Sequence, residues 1–404
     1  MSSVAARLFP LTFENRLQRA GFLLLAGSIS LVLVSIAASQ ILLGGALVAA
    51  LLLWKKERVV PHLPGTILWP ALLLFLWSLI AAFASAGGIR DAFVKKFFLF
   101  SILLIVPVLA RGGKKITWIY HAVFAVSALS AAAGLAQFLV NPHRDALHRI
   151  QGFMSIWMTY SGLLMLVLVA LAAYAMTGSW RSHLWTIPIG LAVAAALYLS
   201  ETRSAELGAV AGTAVVLLLL KRRRAILGIL VLLPVLYLAS PQSIQQRLRG
   251  GFDPNDANTK NRIELIGTAC RLIQDHPWLG VGQKVSREAL NYRGTLEFPD
   301  YMYIHMHNDF LQIGAERGIP GLVIWLWFMF QSGWQAFRIL RAAAGAGRIP
   351  PDRTVAFAGA AAIGGWVALL SAGLFEYNFG DSEVLTLFLF MMSAPHAAPT
   401  GSTE

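Results

Sequence analysis

This chain of 404 residues has one cysteine, Cys270, and little charge: Asp, Glu, Lys and Arg make up only 13% of it, against about 25% in an ordinary soluble domain. A lone cysteine forms no internal disulfide and no thiolate metal cluster. The sequence has no Walker loop and no glycine fingerprint following a strand, which disfavours a nucleotide-driven pump. Nowhere does it show the alternating segments of about ten residues that mark a transmembrane barrel. The first apolar run lacks a cleavage site of the A-x-A kind, so it reads as a span rather than a removable signal. The middles of the apolar runs are nearly free of charge, with Glu206 and Glu376 near span ends. A proton-relay transporter would need several more.

What the sequence has instead is apolar length. Hydrophobic residues make up 57% of the chain, mean hydropathy is +0.64, and a spanning helix needs about 20 such residues. Twelve apolar runs fall at 20–37, 41–54, 66–85, 92–110, 116–140, 154–176, 184–200, 205–220, 225–240, 319–337, 354–375 and 381–394. The expected fold is an all-α polytopic membrane protein of about 12 transmembrane helices, with one large, mainly helical loop between spans 9 and 10. The divisions are 1–240 (spans 1–9), 241–318 (the loop) and 319–404 (spans 10–12 and a short tail).

The net charge of +13 would suggest nucleic acid in a soluble protein. Here most basic residues lie in short loops, where they set orientation instead, and no nucleic-acid partner is expected. With both termini inside, the inner segments hold 18 Lys and Arg and the short outer ones 6. That predicts cytoplasmic termini and a loop 241–318 on the outer face. The loop carries nine basic and nine acidic residues, which argues against a uniformly basic lipid-binding arm.

Within the loop, Ile263, Ile266, Cys270 and Ile273 predict one apolar face of a helix over Arg262–Gln274. Asp275-His276-Pro277 ends that helix, and Gly280-Val281-Gly282 predicts a turn. A second helix is expected from Tyr303 to Glu316, closed by Arg317-Gly318-Ile319-Pro320. In such a helix His307 shares a face with Tyr303 and Leu311, while Asp309 is turned about 200° away and cannot orient its ring.

Histidine exchanges protons near neutral pH, so His307 is the first candidate for acid–base chemistry; a ring merely hydrogen-bonded to a loop is the plainer alternative. His305 is expected to point elsewhere, so no metal site is predicted. Arg203 sits in a short outer turn, where an ionisable group is a functional candidate or a snorkelling anchor. With Arg262 it offers two guanidinium forks suited to a diphosphate. Arg90, Lys95 and Lys96 add positive charge on the same outer face, as ligand contacts or as headgroup anchors.

Taken in order, Thr202-Arg203-Ser204 after a span, Asn261-Arg262, Asp275-His276-Pro277-Trp278-Leu279-Gly280-Val281-Gly282, and His307-Asn308-x-x-Leu311 before Gly318-Ile319-Pro320-Gly321 resemble the bacterial O-antigen ligase and polymerase superfamily, the ligases more closely. The resemblance extends to about twelve spans, cytoplasmic termini and one large periplasmic loop before the last three spans. It implies a glycosyltransferase of the inner membrane that moves a glycan from an undecaprenyl-diphosphate-linked donor to a lipid A-core acceptor, with no cofactor. His307 would be the catalytic base, Arg203 and Arg262 would hold the diphosphate, and Asn308, Glu201, Arg90 and Lys95 are possible supports. Glu201-Thr202 before Arg203 departs from the serine many members carry there. The carboxylate beside His307 is left open among Glu201, Asp300 and Asp309.

Rival readings are a polymerase, for which Arg271 and Gly282 have the Arg-x10-Gly spacing, and a protein O-oligosaccharyltransferase. Further off stand a metal-dependent polyprenyl-phosphate glycosyltransferase, which wants paired acids where only Arg90-Asp91 stands, and a lipid or polysaccharide transporter, for which no internal repeat is visible.

Overall fold

Helix covers most of the described part of each of the twelve apolar runs in a computed structural model, which describes residues 11–58, 63–84, 92–141, 149–178, 180–239, 242, 245, 257–282, 285–292, 304–345 and 353–398. The helices are α1 (Arg16–Leu31), α2 (Ile36–Glu57), α3 (Gly65–Ala84), α4 (Ala92–Lys96), α5 (Ile102–Leu109), α6 (Gly113–Val140), α7 (Trp157–Thr177), α8 (Thr186–Leu199), α9 (Arg203–Leu219), α10 (Arg223–Ala239), α11 (Ala257–Asp275), α12 (Val285–Ala289), α13 (Asp309–Gly345), α14 (Arg353–Gly373) and α15 (Ser382–Ala397). No strand occurs among the described residues.

Six of these helices, α2, α3, α6, α7, α13 and α14, are long and apolar enough to cross a membrane. The protein is therefore a helical membrane protein. The count of twelve crossings rests on the sequence alone.

Two boundaries differ from the sequence reading. The first two runs part at residues 32–35 rather than at Ser39-Gln40, because the Ser35 hydroxyl accepts the Ala38 amide and caps α2. Ser39 instead lies in the helix, its hydroxyl bound to the Ser28 carbonyl of α1 at 2.8 Å. The run 92–110 is not one helix: a 3-10 turn over Phe97–Ser101 separates α4 from α5. Side chains three apart eclipse in that geometry, and Phe97 and Phe100 stack with centroids 4.6 Å apart. Farther on, Pro107 gives no amide to the Leu103 carbonyl, and the Ser393 hydroxyl of α15 supplies the missing donor at 3.1 Å.

The packing that positions the site is α9 against α14. Gly208 faces Ala368 and Ala372, and Gly212 faces Gly364 and Ala368, with no room for a Cβ at either glycine. Small residues let the two backbones approach closely, as in other membrane helix pairs. Sequence numbers rise along one helix as they fall along the other, so the pair is antiparallel. The start of α9 at Arg203 therefore lies at the same end of the bundle as the end of α14 at Gly373.

Beside this main core a second, small one joins Leu265, Ala269 and Leu272 of α11 to Val281, Val285, Ala289, Met306 and Ala315. Of the face the sequence predicted for α11, Ile263, Ile266 and Cys270 are exposed and Ile273 packs against this core. Both stripes have helical spacing, and the buried one is decided by partners distant in sequence, which periodicity does not report.

Candidate active site

Two short connections meet at one end of the bundle: residues 304–308, which lead into α13, and residues 374–381, which join α14 to α15. Residues 304–308 are not the first turn of a helix, as the sequence suggested. The Asn308 side chain caps α13, its Oδ1 accepting the Leu311 amide at 2.9 Å, and this starts the helix at Asp309. Asn308 Nδ2 donates to the Leu374 carbonyl at 2.9 Å, tying the two connections together. His307 takes a left-handed backbone conformation, φ 45°, costly for a residue with a side chain and typical of functional positions.

Released from helical spacing, both histidines reach the same carboxylate. Glu376 Oε2 lies 3.2 Å from His307 Nδ1, and Glu376 Oε1 lies 3.7 Å from His305 Nδ1. The two imidazole centroids are 4.0 Å apart, so His305 does not point away. The partner is none of the carboxylates considered from sequence. Asp309 is buried with its Oδ1 on the Phe379 amide at 3.0 Å, Glu201 offers its backbone carbonyl to Arg149, and Asp300 is outside the described residues. Glu376 had only its place near a span end to mark it.

The hydrogen bonds assign the protons. The His307 amide donates to His305 Nδ1 at 3.3 Å, so that nitrogen carries no hydrogen and His305 has nothing to donate to Glu376 from it. His307 Nδ1 is then the donor to Glu376, which leaves its Nε2 as the basic nitrogen. Burial lowers the His305 pKa to about 4 despite the nearby Glu376 charge, which keeps the ring neutral. Burial also works against the Glu376 charge, yet the His307 hydrogen bond and the two imidazoles outweigh it and hold the carboxyl at about 2.

Behind the dyad lies a second polar set. Glu316 accepts from Gln312 Nε2 at 2.8 Å and pairs with Arg317, 2.8 Å away and buried. Gln312 Oε1 takes the Met306 amide at 2.8 Å, anchoring the histidine loop on α13. A cavity of about 480 Å³ opens here, bounded by His305, Glu316, Glu376 and Asp381. Burial pushes Asp381 up to about 7, although Thr159 donates to it at 2.9 Å.

The motif that closes the loop works through backbone contact. Gly280 and Gly318 both have positive φ, 64° and 69°, and a Cβ at either would strike the other segment's backbone. Across them Val281 N donates to Ala315 O at 2.9 Å and Ile319 N to Pro277 O at 2.7 Å. Within α13 two helical stretches meet at a kink, because Gly318 (φ 69°, ψ 179°) leaves the helical conformation where the sequence predicted the first helix to close.

Of the arginines, Arg262 stacks over the Phe375 ring at 5.7 Å, next to Glu376. Arg203 opens α9 at the same end of the bundle. Lys96 rather than Lys95 lines the cavity, its Nζ on the Gly380 carbonyl; Lys95 points outward and is exposed. Arg90 lies outside the described residues.

His305, His307 and Glu376 each offer an atom within 4.8 Å of the others and so could hold a divalent cation. A cation at these atoms would replace the His307–Glu376 hydrogen bond.

A helical membrane protein with a histidine–carboxylate pair near the Arg262 guanidinium has the parts for proton transfer near an anionic group. Residues 187–326 match the family model described as O-Antigen ligase. This stretch, about a third of the chain, is similar to that family's domain and holds Arg203, Arg262, His307 and Asn308. Glu376, Lys96 and Asp381 fall outside it. No curated protein matches the chain.

Proposed function

We propose that this protein is an O-antigen ligase of the bacterial inner membrane, with both termini cytoplasmic and residues 241–318 facing the periplasm. It joins a glycan carried on undecaprenyl diphosphate to the sugar of lipid A-core. The observation that carries the reading is the His307–Glu376 pair at 3.2 Å, set at the same end of the bundle as Arg203 and Arg262 and partly within the family match.

The reaction needs two things from the protein. As the bond from the anomeric carbon to the diphosphate breaks, the departing oxygen keeps the electron pair. Arg203 and Arg262 neutralise that charge in place of a metal. The acceptor hydroxyl attacks the anomeric carbon from the opposite face, and its proton passes to His307 Nε2 while Glu376 stabilises the imidazolium. One displacement inverts the anomeric centre and leaves no glycosyl-enzyme. His305, neutral and bound to the His307 amide, positions the loop.

The polymerase reading drew on Arg271 and Gly282, but Arg271 donates through Nε and Nη2 to the Tyr292 carbonyl at 3.1 and 2.6 Å, a structural role. Purified protein in proteoliposomes, given lipid-linked polymer and lipid A-core, should produce lipopolysaccharide bands on a gel. Chain growth from lipid-linked repeats without lipid A-core would instead make it a polymerase.

A further inference from the structure

The left-handed backbone of His307 persists only where its surroundings over-determine it, and part of that constraint is applied one residue earlier. The Met306 amide, between the two histidines, donates to Gln312 Oε1 at 2.8 Å, and Gln312 Nε2 donates to Glu316 Oε1 at 2.8 Å. The other oxygen of Glu316, Oε2, lies 2.8 Å from Arg317 Nη2. Gln312 and Arg317 are both buried. Arg317 is tied in turn to α3, through its Nε to the Ser78 hydroxyl at 3.1 Å and through its carbonyl to Trp77 Nε1 at 2.9 Å.

This relay has a direction, and its end groups impose it. A backbone N–H only donates and a carboxylate only accepts. Between them the Gln312 amide satisfies both in one orientation alone, with its oxygen toward Met306 and its nitrogen toward Glu316. Reversed, it would set N–H against N–H at one end and oxygen against oxygen at the other, and leaving buried hydrogen bonds unmade costs stability. Position 316 is constrained in the same way, because donors approach it from both sides: Gln312 at one oxygen and Arg317 at the other. An amide there has only one oxygen to offer to the two of them.

Resting on the transfer reaction above, we propose that Gln312 and Glu316 are positioning residues for His307. Through the order of donors and acceptors from Met306 to Arg317 they fix the peptide before the imidazole, and so the place where Nε2 meets the acceptor hydroxyl. They act through the loop and take no proton themselves. A catalytic group displaced by about 1 Å can lose about 10²-fold in rate, so an error in this order reads out in turnover.

The test uses the full chain in proteoliposomes with a lipid-linked donor and lipid A-core. Gln312→Glu sets two carboxylates face to face, and Glu316→Gln turns an amide donor toward Arg317 or toward Gln312. Each single variant should lower kcat at least about tenfold and leave the KM of donor and acceptor unchanged. The double variant Gln312→Glu/Glu316→Gln has the native net charge and restores an unbroken order: Met306 amide to carboxylate, amide nitrogen to carboxylate, Arg317 to amide oxygen. It should recover at least about tenfold over the weaker single variant, a rescue that lost packing or lost charge does not give. Native turnover in Gln312→Glu, an effect confined to KM, or a double variant no better than the singles, folded or not, overturns the proposal. Absence of product with the native protein sinks the transfer reading instead, and the two failures are distinct because in the first the native protein still yields product.

Discussion

Glu376 holds His307 from 69 residues away in sequence, carboxylate oxygen to Nδ1 at 3.2 Å. The contact joins the connection before α13 to the one after α14, and it turns the imidazole so that Nε2 is its proton acceptor. Glu376→Gln keeps the size of the side chain and removes its charge. Measured in reconstituted transfer, kcat should fall by about 10²-fold, within the 10²–10⁴ a general base supplies, with the donor KM little changed. An unaltered kcat would detach Glu376 from the chemistry.

The interlock of Gly280 with Gly318 predicts a stability effect. Gly318→Ala forces a Cβ into the backbone of Pro277 and Trp278 at a positive φ, at a cost of about 1–3 kcal/mol. The thermal transition in detergent should drop, and activity with it, because the kink sets where Glu316 and Gln312 stand. A variant with the native transition would show that the two segments are not locked.

Asp381 gives the stability a pH dependence of known sign. Its ordinary value is 3.8 and the fold holds it at about 7, so between these pH values the native state binds more protons than the unfolded chain. Stability from this group is present at low pH and lost as pH rises toward 7. Asp381→Asn lacks that loss. The melting temperature of the variant minus that of the native protein should therefore increase from pH 4 to pH 7 and level off above; a difference independent of pH would contradict the placement.

The three possible ligands His305, His307 and Glu376 set up a further comparison. With hydrogen bonds alone organising the site, transfer should be unchanged in EDTA. Excess zinc should inhibit by occupying the imidazole nitrogens that must stay basic. Loss of activity in EDTA, restored by a divalent ion, would assign a metal role to the cluster.

The reach of the sequence was uneven for physical reasons. Apolar length located the helices of the twelve apolar runs, because a membrane imposes it locally, but not α12. His307, Asn308 and Arg262 were legible as polar residues of unusual type in the one water-compatible stretch, and the structure brings them together around residues 374–376. Glu376 was not, because a carboxylate near a span end looks like a boundary residue until α14 and α13 are packed side by side. His305 was misdirected by the assumption of a continuous helix from Tyr303, which the Asn308 cap overrides. The α11 face was misread because both its stripes are apolar. Lys95 and Lys96 differ by one position, and which of them turns inward depends on how α4 packs, which the sequence does not report.

The most direct test of the account is single-variant transfer in proteoliposomes containing purified protein, undecaprenyl-diphosphate-linked glycan and lipid A-core. His307→Ala, folded as judged by its thermal transition, should lose about 10²–10⁴ of the native rate while still retaining the donor. Transfer at the native rate by that variant would contradict the claim that this imidazole takes the acceptor proton.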